Sequence, residues 1–348
     1  MTERTPPQRA LGARQAAILS AIVREYIRSG EPVGSKHVVG RYKLDVSSAT
    51  VRNDMSLLEE LGYVTQPHTS AGRIPTDLGY RWFVDTSASP PRLAQGQQRE
   101  LDETLAEPAD LDEKLLRASE ILTRFTQYAS AVLTPQLGVS RLRHLDLARI
   151  GSRMVVAVLI GDGGRVEKRM IELDSDLSER EVEHVSHEIN RALSGLPLDK
   201  ARHELQKISK KAPAKDRALE SAVFDAIGDM MDSQRRVFVG GASNLASAET
   251  LGSERETLRR VYEAMDRQTD VLRLLEEAIR PVSVRIGSEV PVEDLQSISV
   301  VAAPYGGAAD GAGSLGVIGP IRMDYVRAMA IVAAVARTLE ASLRELGR

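Results

Sequence analysis

The pattern of apolar and polar positions divides the chain into a helical N-terminal part and a longer part in which strands and helices alternate. Apolar residues recur at helical spacing over 14–29 and over 47–61, and a short helix is predicted between them at 35–42. Alternating segments at 63–65 and 72–74 predict the two strands of a hairpin. Three helices followed by a hairpin are typical of a winged helix-turn-helix, which places side chains in a DNA groove.

The third predicted helix has two distinct faces. Val51, Met55 and Leu58 form an apolar face that we expect to pack on the first helix. The other face is short and polar, which suits a DNA groove because short side chains let the helix backbone approach the bases. On that face Arg52 can bridge guanine and Asn53 can bridge adenine. A solvated amphipathic helix is the alternative, but the preceding helix and the following hairpin favour DNA recognition.

Further candidate DNA contacts lie at the start of this helix and on the hairpin. Hydroxyl groups at a helix N-terminus can donate to phosphates, and the helix dipole also favours anions there. The hairpin tip at 68–71 and the arginine behind it are placed to reach the DNA backbone or the minor groove. The predicted DNA-binding residues are Ser35, Lys36, Ser47, Ser48, Thr50, Arg52, Asn53, Ser56, His68, Thr69, Ser70 and Arg73.

The remainder of the chain has the mixed pattern of an α+β domain. Residues 87–96 have the composition of a linker, and helices are predicted at 97–106 and 111–131. From 174 to 231 the pattern is helical and charged without a strand signal, so an insertion is predicted there. Further strands are predicted at 145–150, 154–160, 166–173, 237–240, 282–286, 297–303 and 315–318, and further helices at 253–279 and 323–346.

Together these elements predict an α+β multidomain protein. Its first domain, the winged helix-turn-helix, covers 1–86 and is followed by a linker and helix at 87–110. A sensor-like α/β domain is formed by 111–173 together with 232–348, and the insertion at 174–231 interrupts it. An insertion of this kind is a natural place for a contact between two copies of the chain.

Composition and charge suit a cytoplasmic protein with a basic DNA-binding end. The 42% hydrophobic and 27% charged content of this 348-residue chain is ordinary for a globular protein. The net charge is −3, yet residues 1–85 carry 11 Lys and Arg against 9 Asp and Glu, which favours local phosphate contact. The absence of Cys is typical of a reducing cytoplasm. We find no signal peptide and no apolar run of about 18 residues.

The chain lacks convincing catalytic and metal-binding motifs. His184 and His187 are spaced to share one helical turn, but no third zinc ligand is evident, so a solvated charged face is the favoured interpretation. The glycine-rich segment 306–313 lacks the lysine and hydroxyl residues of a phosphate-binding loop. A nucleophile elbow and an acid–base pair are also lacking. We therefore expect no enzyme activity, no metal and no cofactor.

Specific motifs connect the chain to a known family. They are GEPVGSKHVV (30–39), SSATVRNDMSLLEELGYV (47–64), QPHTSAGRIPTDLGYRWFVD (66–85), GGASNL (240–245), VRIGSE (284–289), SVVAAPYG (299–306) and GVIGPIRMDY (316–325). In these motifs, which extend over nearly the whole chain, the sequence resembles the HrcA family of bacterial heat-inducible transcription repressors. Ile321 departs from the family pattern, which usually has Thr at that position.

The resemblance implies a winged-helix domain, a GAF-like domain and an inserted dimerising domain. It also implies a homodimer that binds double-stranded DNA at an inverted-repeat operator, CIRCE, upstream of chaperonin and chaperone operons. The GroEL chaperonin would help the repressor to reach its active fold, and heat would relieve repression by occupying the chaperonin. The alternative is a metabolite-responsive winged-helix regulator whose GAF-like domain binds a ligand. An enzyme with a fused winged module is the weakest hypothesis, because no catalytic set is present.

Overall fold

The computed structural model of the chain describes most of its residues. These are 11–42, 45–68, 71–87, 92–135, 141–161, 166–173, 176–211, 221–222, 225, 236–241, 267–276, 282–306 and 313–346. Among them there is no helix with the length and apolar character needed to cross a lipid bilayer. The following predicted features lie wholly or mostly outside the described residues: Thr69 and Ser70, the helix at 253–279 and the glycine-rich segment at 306–313.

The first part of the chain, 11–87, forms a unit that we call the head. Its elements are α1 (Ala13–Ser29), α2 (Ser35–Tyr42), α3 (Ser48–Glu60), β1 (Val64–Thr65), β2 (Ile74–Pro75) and α4 (Asp77–Thr86). Gly30 ends α1 in the left-handed conformation, with φ 73°. Ser47 caps α3, because its Oγ accepts a hydrogen bond of 3.1 Å from the Thr50 amide. This order of three helices and a hairpin confirms the prediction for this part of the chain.

Two glycines let the hairpin lie close against its neighbours. The antiparallel pair of β1 and β2 is extended by a β-bridge between Val33 and Arg73. A Cβ atom on Gly72 would lie 2.4 Å from the carbonyl carbon of Val33. A Cβ atom on Gly79, in the first turn of α4, would lie 2.1 Å from the carbonyl oxygen of Tyr63. Neither position has room for a side chain unless the hairpin moves.

Beyond the head, the chain continues with strands and helices that its pattern largely predicts. The strands are β3 (Ala129–Leu133), β4 (Leu142–Arg149), β5 (Met154–Gly161), β6 (Val166–Glu172), β7 (Val237–Gly240), β8 (Ser283–Ile286), β9 (Ile298–Tyr305) and β10 (Gly313–Pro320). The helices are α5 (Gln95–Ala106), α6 (Leu111–Thr126), α7 (Glu179–Leu193), α8 (Leu198–Lys211), α9 (Gln268–Glu276) and α10 (Tyr325–Leu346). The helix predicted at 111–131 is wrong in its last turn, because Gln127 ends α6 with φ 61° and β3 follows.

A five-stranded antiparallel sheet with helices on both faces forms what we call the body. The strands lie in the order β7-β3-β10-β9-β8. Helices α6 and α10 pack on one face, with α5 against these two helices, and α9 packs on the other face. Every residue of β3 is buried, since helices cover both of its faces. The chain is therefore an α+β protein in which a helical N-terminal region is followed by sheets.

A second sheet has its own apolar core, and we call this part of the chain the insert. Strands β4, β5 and β6 pair antiparallel with β5 in the middle, and α7 and α8 share their core. Asn190 of α7 fixes the helix to the sheet, because its Oδ1 accepts a hydrogen bond of 2.8 Å from the Leu145 amide. Strand pairing and a shared apolar core group β4–β6 with α7 and α8, whereas the predicted insertion begins only at 174.

The head and the body are joined by one continuous apolar core. Tyr80 of α4 and Tyr325 of α10 are both buried, with ring centroids 5.7 Å apart. Beside them Arg81 donates from Nε to Glu289 at 2.8 Å and from Nη2 to the Val284 carbonyl at 2.6 Å. The aromatic side chain of Tyr80 thus packs the head against the body.

Candidate nucleic-acid interface

Three hydroxyl side chains lie together at the N-terminus of α3. Ser47 is exposed, and Ser48 and Thr50 are partly exposed. The Oγ of Ser47 lies 2.9 Å from Oγ1 of Thr50, so the two hydroxyls support each other beside the first turn. The helix dipole adds partial positive charge at this end. The structure therefore brings three of the predicted phosphate contacts together where an anion is favoured.

The polar face of α3 is exposed along the helix. Ala49, Arg52, Asn53 and Ser56 all face solvent, as predicted for residues that approach bases. Ser56 donates from Oγ to the Arg52 carbonyl at 3.2 Å, which turns its hydroxyl back onto the helix. Within the part of the chain that the structure describes, the Arg52 guanidinium has no hydrogen-bond or ion-pair partner. All five of its N–H groups are available to a ligand.

An ion pair between a buried carboxylate and an exposed arginine holds α3 against α1. Asp54 is 5% exposed and accepts two hydrogen bonds from Arg14, at 2.8 Å from Nε and 3.2 Å from Nη2. Two-pronged pairing with arginine is a favourable way to bury a carboxylate. The pair fixes the rotation of α3 and hence the face that it presents. Sequence analysis missed both residues, although a carboxylate on an apolar helix face indicates a cation opposite it.

Arg73 lies against α3 in this structure, and its predicted contact with the DNA backbone or minor groove stays a prediction. Its side chain is 15% exposed, and Nη2 lies 2.8 Å from Oε2 of Glu59. Its backbone exchanges two hydrogen bonds of 2.9 Å with Val33, so the side chain lies over the end of α3, where Glu59 neutralises it. In this structure Arg73 holds the hairpin onto α3.

The remaining predicted contacts differ in exposure. Lys36 on α2 and His68 near the hairpin tip are exposed. Ser35 is only 8% exposed, and its direct contact with DNA stays a prediction. Thr69 and Ser70 lie outside the described residues, so both remain predictions.

A cleft of about 430 Å³ separates α3 from the hairpin. Arg52 and Met55 line it from α3, and Gln66 lines it from the hairpin. Gln66 donates from Nε2 to the Ala71 carbonyl at 2.9 Å, which closes the base of the hairpin tip. Polar groups of the helix and of the hairpin therefore face one opening.

Three helices, a hairpin held against the third of them and an exposed polar helix face define a winged-helix transcription regulator. The family model for the HrcA protein C-terminal domain matches residues 112–329. The chain belongs to the HrcA family of heat-inducible transcription repressors.

Relatives of this family align over nearly the whole chain. The heat-inducible transcription repressor HrcA of Acidothermus cellulolyticus is 42% identical over 339 residues, which cover 96% of this chain and 99% of that one. The heat-inducible transcription repressor HrcA of a Nocardioides species is 40% identical over 338 residues, which cover 95% of this chain and 98% of that one. The crystal structure of a hypothetical protein at 2.2 Å resolution has a TM-score of 0.62 and 25% identity, covering 97% of this chain and 100% of that one. Membership of a repressor family confirms the predicted class, which is not that of an enzyme.

Proposed function

We propose that the head represses transcription by placing α3 in the major groove of an operator. Arg52 and Asn53 contact base edges, while Ser47, Thr50 and Lys36 contact phosphates. The observation that carries this proposal is the exposed polar face of α3, on which the Arg52 guanidinium has no partner among the described residues. The ion pair between Arg14 and Asp54 supports it by fixing that face outward.

We further propose that the operator is the inverted repeat CIRCE, upstream of chaperonin and chaperone operons, in the cytoplasm. One head reads one half-site, so a palindrome requires a homodimer whose two recognition helices lie about 34 Å apart. The proposal is supported by relatives that are heat-inducible transcription repressors. The GroEL chaperonin is the proposed partner that maintains the active fold, and heat relieves repression by occupying it.

Footprinting of the purified full chain tests the operator proposal. On a chaperonin promoter fragment that contains the inverted repeat, we expect protection of both halves of the repeat. Scrambling one half should weaken binding by at least about tenfold, because one of two specific contacts is lost. If a fragment with both halves scrambled is protected as well as the intact repeat, the chain binds phosphates non-specifically. That result would contradict the proposal.

The outer face of the insert sheet is the proposed surface between two copies of the chain. The residues of β5 alternate between buried and partly exposed, so Val156, Val158 and Ile160 lie on the side away from the insert core. On the neighbouring strand β6, Val166 is 42% exposed and Met170 is 67% exposed. Several exposed apolar side chains on one sheet face are typical of an interaction site.

Charges on this face suit pairing with an identical copy. The central Val158 lies between Asp146 of β4 and Lys168 of β6 in one row across the sheet. Both charged residues are exposed. In a dimer with a two-fold axis near Val158, this row would run in the opposite direction in the second copy. Asp146 of each copy would then face Lys168 of the other copy. The same patch can therefore serve both partners.

Val158→Glu should convert the dimer to a monomer, because each copy would place an unpaired carboxylate at the centre of the interface. Light scattering after gel filtration should show the mass fall from twice 38.0 kDa to 38.0 kDa. The control is Val239→Glu, at a valine that is 39% exposed on β7 of the body, and it should stay dimeric. A Val158→Glu chain that keeps the dimer mass would place the interface elsewhere.

We propose that the body is a GAF-like domain. The five-stranded antiparallel sheet with helices on both faces supports this assignment. Under the proposed function, operator affinity responds to the chaperonin. Under the alternative of a metabolite-responsive regulator, operator affinity responds to a small ligand held by the body, and a titration of operator binding separates the two.

A further inference from the structure

A cavity of about 710 Å³ lies where the head meets the body. Helices α1, α2 and α4 supply one wall, and α10 with Tyr128 supplies the other. Residues 92–97, which lead into α5, form its rim. The volume falls in the range of pockets that hold small ligands and cofactors. The cavity is separate from the polar face of α3 and from the cleft beside the hairpin.

The lining is strongly basic. It contains two carboxylates and six arginines: Glu25 and Asp324; Arg24, Arg28, Arg41, Arg92, Arg322 and Arg327. This leaves an excess of four positive charges around one opening. Guanidinium groups are planar and present paired N–H donors that match phosphate oxygens.

Both carboxylates are already engaged. Glu25 is 3% exposed and forms ion pairs with Arg28, with Arg41 at 3.0 Å and with His37 at 3.0 Å. The hydrogen bond from Arg28 lowers the pKa of the Glu25 carboxyl, so this group is ionised and is already paired with two arginines and the His37 ring. Asp324 accepts a hydrogen bond of 3.0 Å from the Arg327 amide. Among the described residues, neither carboxylate forms an ion pair with Arg24 or Arg92.

Two of the arginines have no anionic partner among the residues that the structure describes. Arg24 is exposed and lies over the Phe83 ring, 5.2 Å from its centroid. Arg92 is exposed at the rim. A third, Arg327, donates from Nη2 to the Phe125 carbonyl at 3.0 Å, a neutral acceptor that leaves its charge uncompensated. These groups come from the head, the linker and the body, so an anion bound between them would contact all three.

Apolar and aromatic side chains line the space between the charges. Tyr42 and Phe83 contribute from the head, and Tyr128, Val326 and Ile331 contribute from the body. An inorganic anion alone would leave this surface without a partner. A ligand with both a flat apolar ring and several phosphate charges matches the whole lining, since aromatic rings stack on bases and arginines bind phosphates.

We propose that this cavity binds a nucleoside polyphosphate, with its phosphates at Arg24, Arg92 and Arg327 and its base against the aromatic lining. The ligand would bridge the head and the body and stabilise their docked arrangement. This site is independent of operator recognition, because it uses no residue of the polar face of α3.

Calorimetric titration of the full chain with ATP tests the proposal. We expect one ATP per chain, with tripolyphosphate at least about tenfold weaker and adenosine weaker still, because each lacks half of the matching chemistry. The double variant Arg24→Gln/Arg92→Gln should bind ATP at least about tenfold more weakly, since two charge-assisted contacts are lost. Both side chains are exposed, so the fold should persist.

Two controls separate the cavity from other basic surfaces. Arg99→Gln, at an exposed arginine on α5, should leave ATP affinity unchanged. Arg52→Ala should also leave it unchanged, and an equal loss there would place ATP on the DNA-binding surface and overturn the proposal. Absence of ATP binding, or unaltered binding to the double variant, would overturn it as well. Tripolyphosphate binding as tight as ATP would show a bare polyanion site and refute recognition of the nucleoside.

Discussion

Arg52→Ala will weaken operator binding by about 1–3 kcal/mol and relax base preference at one position in each half-site. Its guanidinium is exposed on α3, and within the described chain it makes no hydrogen bond or ion pair that the substitution would break. The loss therefore reports on DNA and not on the fold. Competition gel shifts against operators with each base changed in turn should show preference lost at that position only.

Lys36→Ala is the matched comparison for this experiment. Lys36 is exposed on α2 and is proposed to contact a DNA phosphate. Removing its charge should weaken binding to all DNA sequences about equally. The slope of log affinity against log salt concentration should become shallower by about one. If Arg52→Ala behaves in the same way, with base preference intact, then Arg52 contacts the backbone and α3 does not read bases through it.

Gly79→Ala will lower the free energy of unfolding by about 1–3 kcal/mol, as overpacking of a close contact does. The added methyl group would lie 2.1 Å from the Tyr63 carbonyl oxygen, so α4 must move away from β1. Since α4 also joins the head to the body, its displacement should loosen both. Urea unfolding of the full chain, followed by circular dichroism, measures the change.

Gly40→Ala is the control for this substitution, and its expected effect has the opposite sign. Gly40 lies in α2, and a Cβ atom there would have nothing within 4 Å. Alanine in an open helical position should raise the free energy of unfolding by up to about 1 kcal/mol, because it costs less backbone entropy than glycine. Equal stability of the two variants would show that the contact at Gly79 relaxes without cost.

The recognition helix is predictable from sequence because its information is local. The cap at Ser47 and the two faces of α3 depend on residues within one or two turns of each other. Strand β3 is not recognisable in the sequence pattern, because it lacks such a local signal. All five of its residues are buried, so no alternation marks it, and its apolar run continues the pattern of α6. The residue that ends α6 with positive φ is Gln127 and not a glycine, so the sequence does not mark the end of this helix.

Features that depend on distant partners could not be predicted. Arg14 and Asp54 are 40 residues apart in sequence, and the contact between Arg73 and Glu59 depends on how the hairpin folds over α3. The strands β4–β6 resemble strands of the body in composition, and only their pairing assigns them to the insert. A sequence pattern identifies a strand but not the sheet that it joins.

The continuous apolar core between head and body has a consequence for how the protein responds to temperature. A unit as small as the head, with four helices and a short hairpin, would have marginal stability on its own. Detaching the head would expose the Tyr80 and Tyr325 rings to water, so we expect head and body to melt cooperatively in one transition. The temperature at which α3 is lost as a DNA-binding surface is then set by the stability of both parts together. Under the proposed function, a less stable body would lower the temperature at which the head releases the operator.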